Sequence, residues 1–173
     1  MTWEYRLTPK EEAVCVEVGY QRQKPYFGDP TKNISYSEGD LDELWQHAVC
    51  AGSELAFAKM MGIEDFKPHF NKWKTEEDLP GFGEIRYSFS KTRGLRFTSR
   101  DSVNKKYVLL TGGLSIASRR DSKDGYKSPA YIAEGWMYGR DCVKPEWLYK
   151  EERGVRVWYV PISDLRNMDE INS

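Results

Sequence analysis

The spacing of apolar residues along this chain changes near residue 84. Before it, apolar positions recur every three to four residues; after it they alternate or run together, so the pattern predicts helices first and strands second. Thr8-Pro9 followed by KEEAVCVEVGYQRQ has the marks of a helix start, with Thr8 as N-cap, Pro9 in the first turn and Glu11 and Glu12 behind it. Val14, Val18 and Tyr20 supply an apolar stripe, although the β-branched run VCVEV leaves a strand open. Residues 25–39 carry Pro, Gly, Asn and Ser and predict a loop. A second helix is expected from an Asp40 cap to Gly62, with Leu41, Leu44, Trp45, Ala48, Gly52, Leu55 and Ala56 on one face.

Residues 63–83 hold Pro68, Pro80, Gly81 and Gly83 and read as irregular. From Glu84 the period is two: Ile85, Tyr87 and Phe89 share one face, and Glu84, Arg86, Ser88 and Ser90 the other. KTRG predicts a turn and LRFTSR a returning strand, which together make a hairpin. KYVLLTGG is continuously apolar, as a central strand buried on both faces would be. A basic polar loop (SRRDSKDGYKSP) precedes the strands expected at AYIAEGWMYG and RVWYVP. VKPEWLYKEERG between those strands predicts a short helix or loop, and ISDLRNM a closing helical turn. Two helices followed mostly by strands indicate an α+β fold with a mixed sheet, in one domain spanning residues 1–173.

Composition adds little until charge is read by position. With 39% apolar and 31% charged residues the chain is globular in type, and no apolar run approaches the roughly 18 residues of a membrane span. The N-terminus lacks the basic-then-apolar order of a signal peptide, so a cytoplasmic location without membrane contact is expected. Cys15, Cys50 and Cys142 are isolated, and His47 and His69 stand apart from them, so neither a disulfide framework nor a zinc pair is indicated. Residues 1–85 carry a net charge of −7, residues 86–127 a net of +8 and residues 128–173 a net of −2. The basic middle third is either a solvated face or an electrostatic footprint for a polyanion.

That block follows directly on DLPGFGEIR. Strand alternation puts Glu84 and Arg86 on one face about 7 Å apart. Asp78, across a Pro-Gly turn, can reach the same face. Two carboxylates at a strand end suit a hard divalent cation, and a neighbouring cation can stabilise phosphoryl charge. An Asp in a turn and a solvated E-x-R pair explain the same residues without function. Glu54 lies off the apolar stripe between the small residues Ala51 and Ala58, so it is either a surface residue or a third carboxylate. Lys59 stands at the edge of that stripe, where it can snorkel or reach a phosphate.

A helix bearing GSELAFAK, a loop Asp and an E-x-R strand resemble the PD-(D/E)XK nuclease superfamily, and more narrowly its small phage and prophage members. LTPKEE…VGYQR, RFTSRD…YVLLTGG, EGWMYG, PEWL and WYVP extend the resemblance over most of the chain. It implies an α/β sandwich-like, restriction-endonuclease-like core at residues 41–168, a mixed central sheet flanked by helices, with residues 1–40 packed on it. It implies Glu54, Asp78 and Glu84 as ligands of Mg²⁺ or Mn²⁺. It also implies Arg86 as the catalytic cation, where active members mostly have Lys. Arg cannot give up its proton to act as a base, so Arg86 can only stabilise charge; Lys59 or Lys91 could supply an ammonium instead.

The resemblance implies a metal-dependent DNA endonuclease. The alternative is a catalytically inactive protein of the same fold that binds nucleic acid, or a host or phage protein, as a regulatory or counter-defence factor. In either case Arg22, Lys59, Lys91, Arg93, Arg96, Arg100, Lys105, Lys106, Arg119, Arg120 and Lys123 are the candidates for holding a phosphate backbone. Trp136, Tyr138, Trp147, Trp158 and Tyr159 are read first as core and second as stacking residues. If phage-encoded, the protein would act in the host cytoplasm; its oligomeric state is open, with a homodimer as one option.

Overall fold

The structure is a computed structural model that describes residues 2–24, 43–70, 77–90, 92–112 and 130–173. The expected Asp40 cap, the Leu41 position and the loops at 25–39 and 118–129 lie outside those residues. In chain order the described elements are β1 (Glu4–Arg6), α1 (Pro9–Gln23), α2 (Glu43–Met60), β2 (Glu84–Tyr87), β3 (Leu95–Thr98), β4 (Lys106–Gly112), β5 (Ala130–Tyr138), β6 (Leu148–Glu152) and β7 (Val155–Val160). The fold is α+β, as the order of periodicities predicts. The chain divides into two compact units: Glu4–Thr75 with Gly112–Tyr131, and Met1–Trp3 with Glu76–Thr111 and Ile132–Ser173.

The first of these units is built on the two helices. Thr8 Oγ1 accepts from the Glu11 N–H at 3.2 Å and Glu11 Oε2 accepts from the Thr8 N–H at 2.8 Å, a reciprocal capping box that decides for helix over strand. The buried stripe of α1 is Glu12, Cys15, Val18, Gly19 and Arg22, whereas Val14 and Tyr20 are exposed, contrary to the predicted face. Gly19 sets that rotation, since a Cβ there would lie 2.7 Å from the Ala48 nitrogen of α2. Residues 51–58 of α2 are all buried, so the helix is covered on every side and not only along one stripe. It ends as predicted: Gly62 is at φ +76, and the Gly62 and Ile63 N–H groups close back on the Lys59 and Ala58 carbonyls. β1 lies beside β5, whose first residues, Ala130 and Tyr131, belong to this unit.

The other unit holds two sheet systems. β2 pairs with β4 in parallel, Glu84 opposite Tyr107 and Arg86 opposite Leu109. The Gly139 N–H donates to the Lys105 carbonyl, so the start of β4 meets the end of β5 and these two run antiparallel. β3, β7 and β6 form a separate antiparallel sheet in that order. The predicted hairpin is therefore corrected: its two strands belong to different sheets. Ser88, Ser90 and Thr92 bond to one another directly after β2. Gly94, at φ +77, then passes so close to the Val160 carbonyl that a Cβ would sit 2.0 Å from its oxygen. Leu95 and Phe97 join Tyr107, Leu109, Met137, Trp147, Trp158 and Val160 in one apolar cluster, with the Phe97 and Tyr107 rings edge-to-face at 5.2 Å.

β4 is buried from Tyr107 through Thr111, as its unbroken apolar run predicts. Phe89, expected to share the face of Ile85 and Tyr87, is 50% exposed because β2 ends at Tyr87. Leu148–Glu152 is a strand where a helix or loop was expected, and only Pro145–Trp147 make a helical turn. Every residue of β6 is exposed, so the strand has no buried face to write an alternation into the sequence.

Candidate functional site

Asp78 and Glu84 are brought together by a tight turn. Leu79 and Gly83 exchange both backbone hydrogen bonds at 3.1 Å, with Gly81 at φ +84 and Gly83 at φ +111. The turn folds Asp78 back along the strand entry, where its Oδ2 accepts from the Ile85 N–H at 2.9 Å. Gly83 is required twice over: its φ disfavours a side chain, and a Cβ would lie 2.2 Å from the Lys106 carbonyl oxygen. The Lys105 ammonium lies 2.5 Å from Glu84 Oε1. Burial pushes the Glu84 carboxyl above the ordinary glutamate range. The charge of Asp78 and a hydrogen bond shared with it act in the same direction, against the pull of Lys105.

Arg86 does not join this group. Its Nη2 donates to Asp101 Oδ1 at 2.7 Å and its guanidinium lies 5.3 Å from the Tyr107 ring centre. Asp101 is itself fixed, since Oδ2 accepts from the Thr98 N–H at 2.8 Å and from Thr98 Oγ1 at 3.0 Å. Arg86 Nε is buried and has no hydrogen-bond partner among the described residues. Burial, reinforced by the Asp101 carboxylate, raises the Tyr107 phenol, which donates to the Ser102 carbonyl.

In the helical unit Glu54 is buried, which overturns its reading as a surface residue, and Arg22 is buried too. They form a forked pair, Nη1 to Oε1 at 3.1 Å and Nη2 to Oε2 at 2.8 Å, while Arg22 Nε donates to the His69 carbonyl at 2.8 Å. The pair explains both the acid between small residues on α2 and the arginine at the end of α1. Lys59 binds the Glu64 carboxylate at 2.9 Å and lies 3.9 Å from Glu11; the hydrogen bond to Glu64 raises its pKa.

Of the other basic candidates, Arg93, Arg96 and Arg100 are exposed. Lys106 donates to the Ile171 carbonyl and lies 5.0 Å from the Trp136 ring centre. Lys91, Arg119, Arg120 and Lys123 lie outside the described residues. Trp136, Trp147 and Trp158 are buried, in keeping with their first reading as core. Among the described residues no group of three or more His, Cys, Asp or Glu side chains is gathered to hold a metal ion. Nor is any described helix long and apolar enough to cross a membrane.

Two residues take positions that the sequence reading did not give them. Lys105 is the ammonium beside the carboxylate pair, and Asp101 is the anchor of Arg86. Lys105 could not be found without the parallel register, which brings it to Glu84 across 21 positions of chain, and Asp101, in the turn after β3, reaches Arg86 across 15. No protein-family model matches the chain, and no curated protein or solved structure matches it.

Proposed function

We propose that the chain is a divalent-metal-dependent phosphodiesterase acting on DNA, with Asp78 and Glu84 as the acidic pair and Lys105 as the cation beside them. What carries this reading is the grouping of Asp78, Glu84 and Lys105 at the mouth of β2. It is the set of groups that the PD-(D/E)XK resemblance leads one to look for, with the lysine drawn from the residue before β4 in place of residue 86. Two carboxylates fit Mg²⁺ or Mn²⁺, which typically take one or two carboxylates and keep several waters. Bound there, the ion would supply Lewis-acid stabilisation of phosphoryl charge. The Lys105 ammonium would hold Glu84 ionised and oriented. Arg86, fixed by Asp101 and partly exposed, would offer the accessible edge of its guanidinium to a phosphate oxygen.

A binding protein of the same ancestry without catalysis is the second reading. It is favoured by the closed Arg22–Glu54 pair, which occupies the third expected carboxylate, and by Asp101, which occupies the guanidinium of Arg86. Incubation with single-stranded, duplex and branched DNA in Mg²⁺ or Mn²⁺ separates the two. Cleavage that is lost in Asp78→Ala and Glu84→Ala, and reduced in Lys105→Ala, is expected. No cleavage, or cleavage indifferent to those substitutions, would overturn the enzymatic reading.

A further inference from the structure

Three cations crowd two rings at the end of β5. The Arg140 guanidinium lies 4.3 Å from the Tyr138 ring centre and that of Arg166 5.5 Å from it, with the Lys106 ammonium at 5.8 Å. Lys106 and Arg166 are each also 5.0 Å from the Trp136 ring centre. Trp136 and Tyr138 meet edge-to-face at 5.3 Å, as residues two apart on one face of a strand do. A cation–π contact of energetic weight is expected roughly once per 70–80 residues, so five of them on two neighbouring rings is a concentration. Among the described residues one carboxylate pairs with this group: Asp141, 2.9 Å from Arg166. Three positive charges against one negative leave an excess of two on a surface where Arg140 and Arg166 are exposed.

Like charges so close repel, and ring quadrupoles offset that only in part. The arrangement is stable where an anion shares the site. Guanidinium planes and an edge-on tyrosine also present flat surfaces to a base, which a bare phosphate does not need. We propose that Lys106, Tyr138, Arg140 and Arg166 form a docking site for one strand of nucleic acid, phosphates on the cations and a base against the Arg140–Tyr138 stack. The choice of ligand class rests on the function proposed above; the site itself does not use Asp78 or Glu84. Lys106 directly follows Lys105, but side-chain alternation turns it to the other face of the strand from Glu84, so this docking site is separate from the carboxylate pair.

The test is fluorescence anisotropy of a labelled twelve-nucleotide single strand against the full chain in EDTA, with inorganic phosphate and a mononucleotide as competitors. Binding should weaken about tenfold in Arg140→Ala and in Arg166→Ala, and the salt slope should fall by about one for each. Asp141→Asn, which removes the opposing carboxylate, should tighten binding severalfold, a change that loss of structure would not produce. Equal binding by wild type and both arginine variants, no strand binding in EDTA, or displacement by millimolar inorganic phosphate alone would overturn the proposal. Cleavage assays on the same variants keep the outcomes apart: metal-dependent cleavage without strand retention would sink this site and spare the catalytic reading, and retention without cleavage would do the reverse.

Discussion

Glu54 is where the catalytic and the structural readings of this chain collide, and the collision can be measured. The Arg22–Glu54 fork is buried on both sides, with side-chain exposures of 9% and 8%. Replacing Glu54 by Gln keeps the shape and leaves a buried guanidinium without its counter-charge. Breaking one side of such a pair typically costs about 3–5 kcal/mol. For a chain of this length that corresponds to a fall in melting temperature of roughly 6–20 °C. Arg22→Met should cost a similar amount by stranding the carboxylate. The double variant Arg22→Met/Glu54→Leu removes both charges and should return to within about 1–2 kcal/mol of wild type or exceed it. Urea denaturation of wild type, Arg22→Met, Glu54→Leu and Arg22→Met/Glu54→Leu closes a double-mutant cycle, and the coupling should reach several kcal/mol. Single variants within about 1 kcal/mol of wild type would refute the burial argument. If, in addition, Glu54→Gln abolished metal-dependent cleavage, Glu54 would be returned to the site as a ligand.

Two further outcomes follow from buried titratable groups. Burial alone raises the Glu12 carboxyl, so the folded protein holds this proton more tightly than the unfolded chain does. Stability should then decline as pH rises from the ordinary glutamate range, near about 4.3, through the raised folded value. Glu12→Gln should match wild type at the acid end of that window and exceed it at pH 7, and urea midpoints that stay parallel at all pH values would contradict this. Cys15 and Cys142 are both buried and both pushed up to about 12, by burial first and by nearby carboxylates second. Cys50 is half-buried. An Ellman titration of the native protein should therefore find one reactive thiol at pH 8 and three after unfolding. Three at native conditions would mean that both units open readily.

What the sequence made legible was local. Thr8, Pro9 and Glu11 carry the start of α1 within four residues, and Gly62 carries the end of α2, because caps are satisfied by near neighbours. The apolar run in KYVLLTGG announces a central strand because burial on both faces needs no partner to be named. Pairing is another matter. EIRY and LRFT look like a hairpin because they are adjacent and alternate, yet one strand finds β4 and the other β7, and no short-range signal encodes that choice. The same limit governs the site: Asp78 and Glu84 were visible together because a turn joins them, whereas Lys105 arrives through strand register and Asp101 through the turn after β3. Glu54 was visible as an anomaly among small residues, but its partner lies 32 positions away on another helix.

Lys105 and Lys106 are separated by one peptide bond and serve opposite surfaces of β4, the first turned to Glu84 and the second to the rings of β5. A side-chain period of two makes that division all-or-none: slipping β4 by a single residue would turn each lysine to the other face, taking Lys105 from Glu84 and Lys106 from the rings at once. The strand is held against such a slip at its first residue, by the contact of Gly83 with the Lys106 carbonyl and by the bond from Lys106 to Ile171. An insertion or deletion within residues 99–105 is thus not a neutral loop change. It would disturb two chemically distinct surfaces in one event.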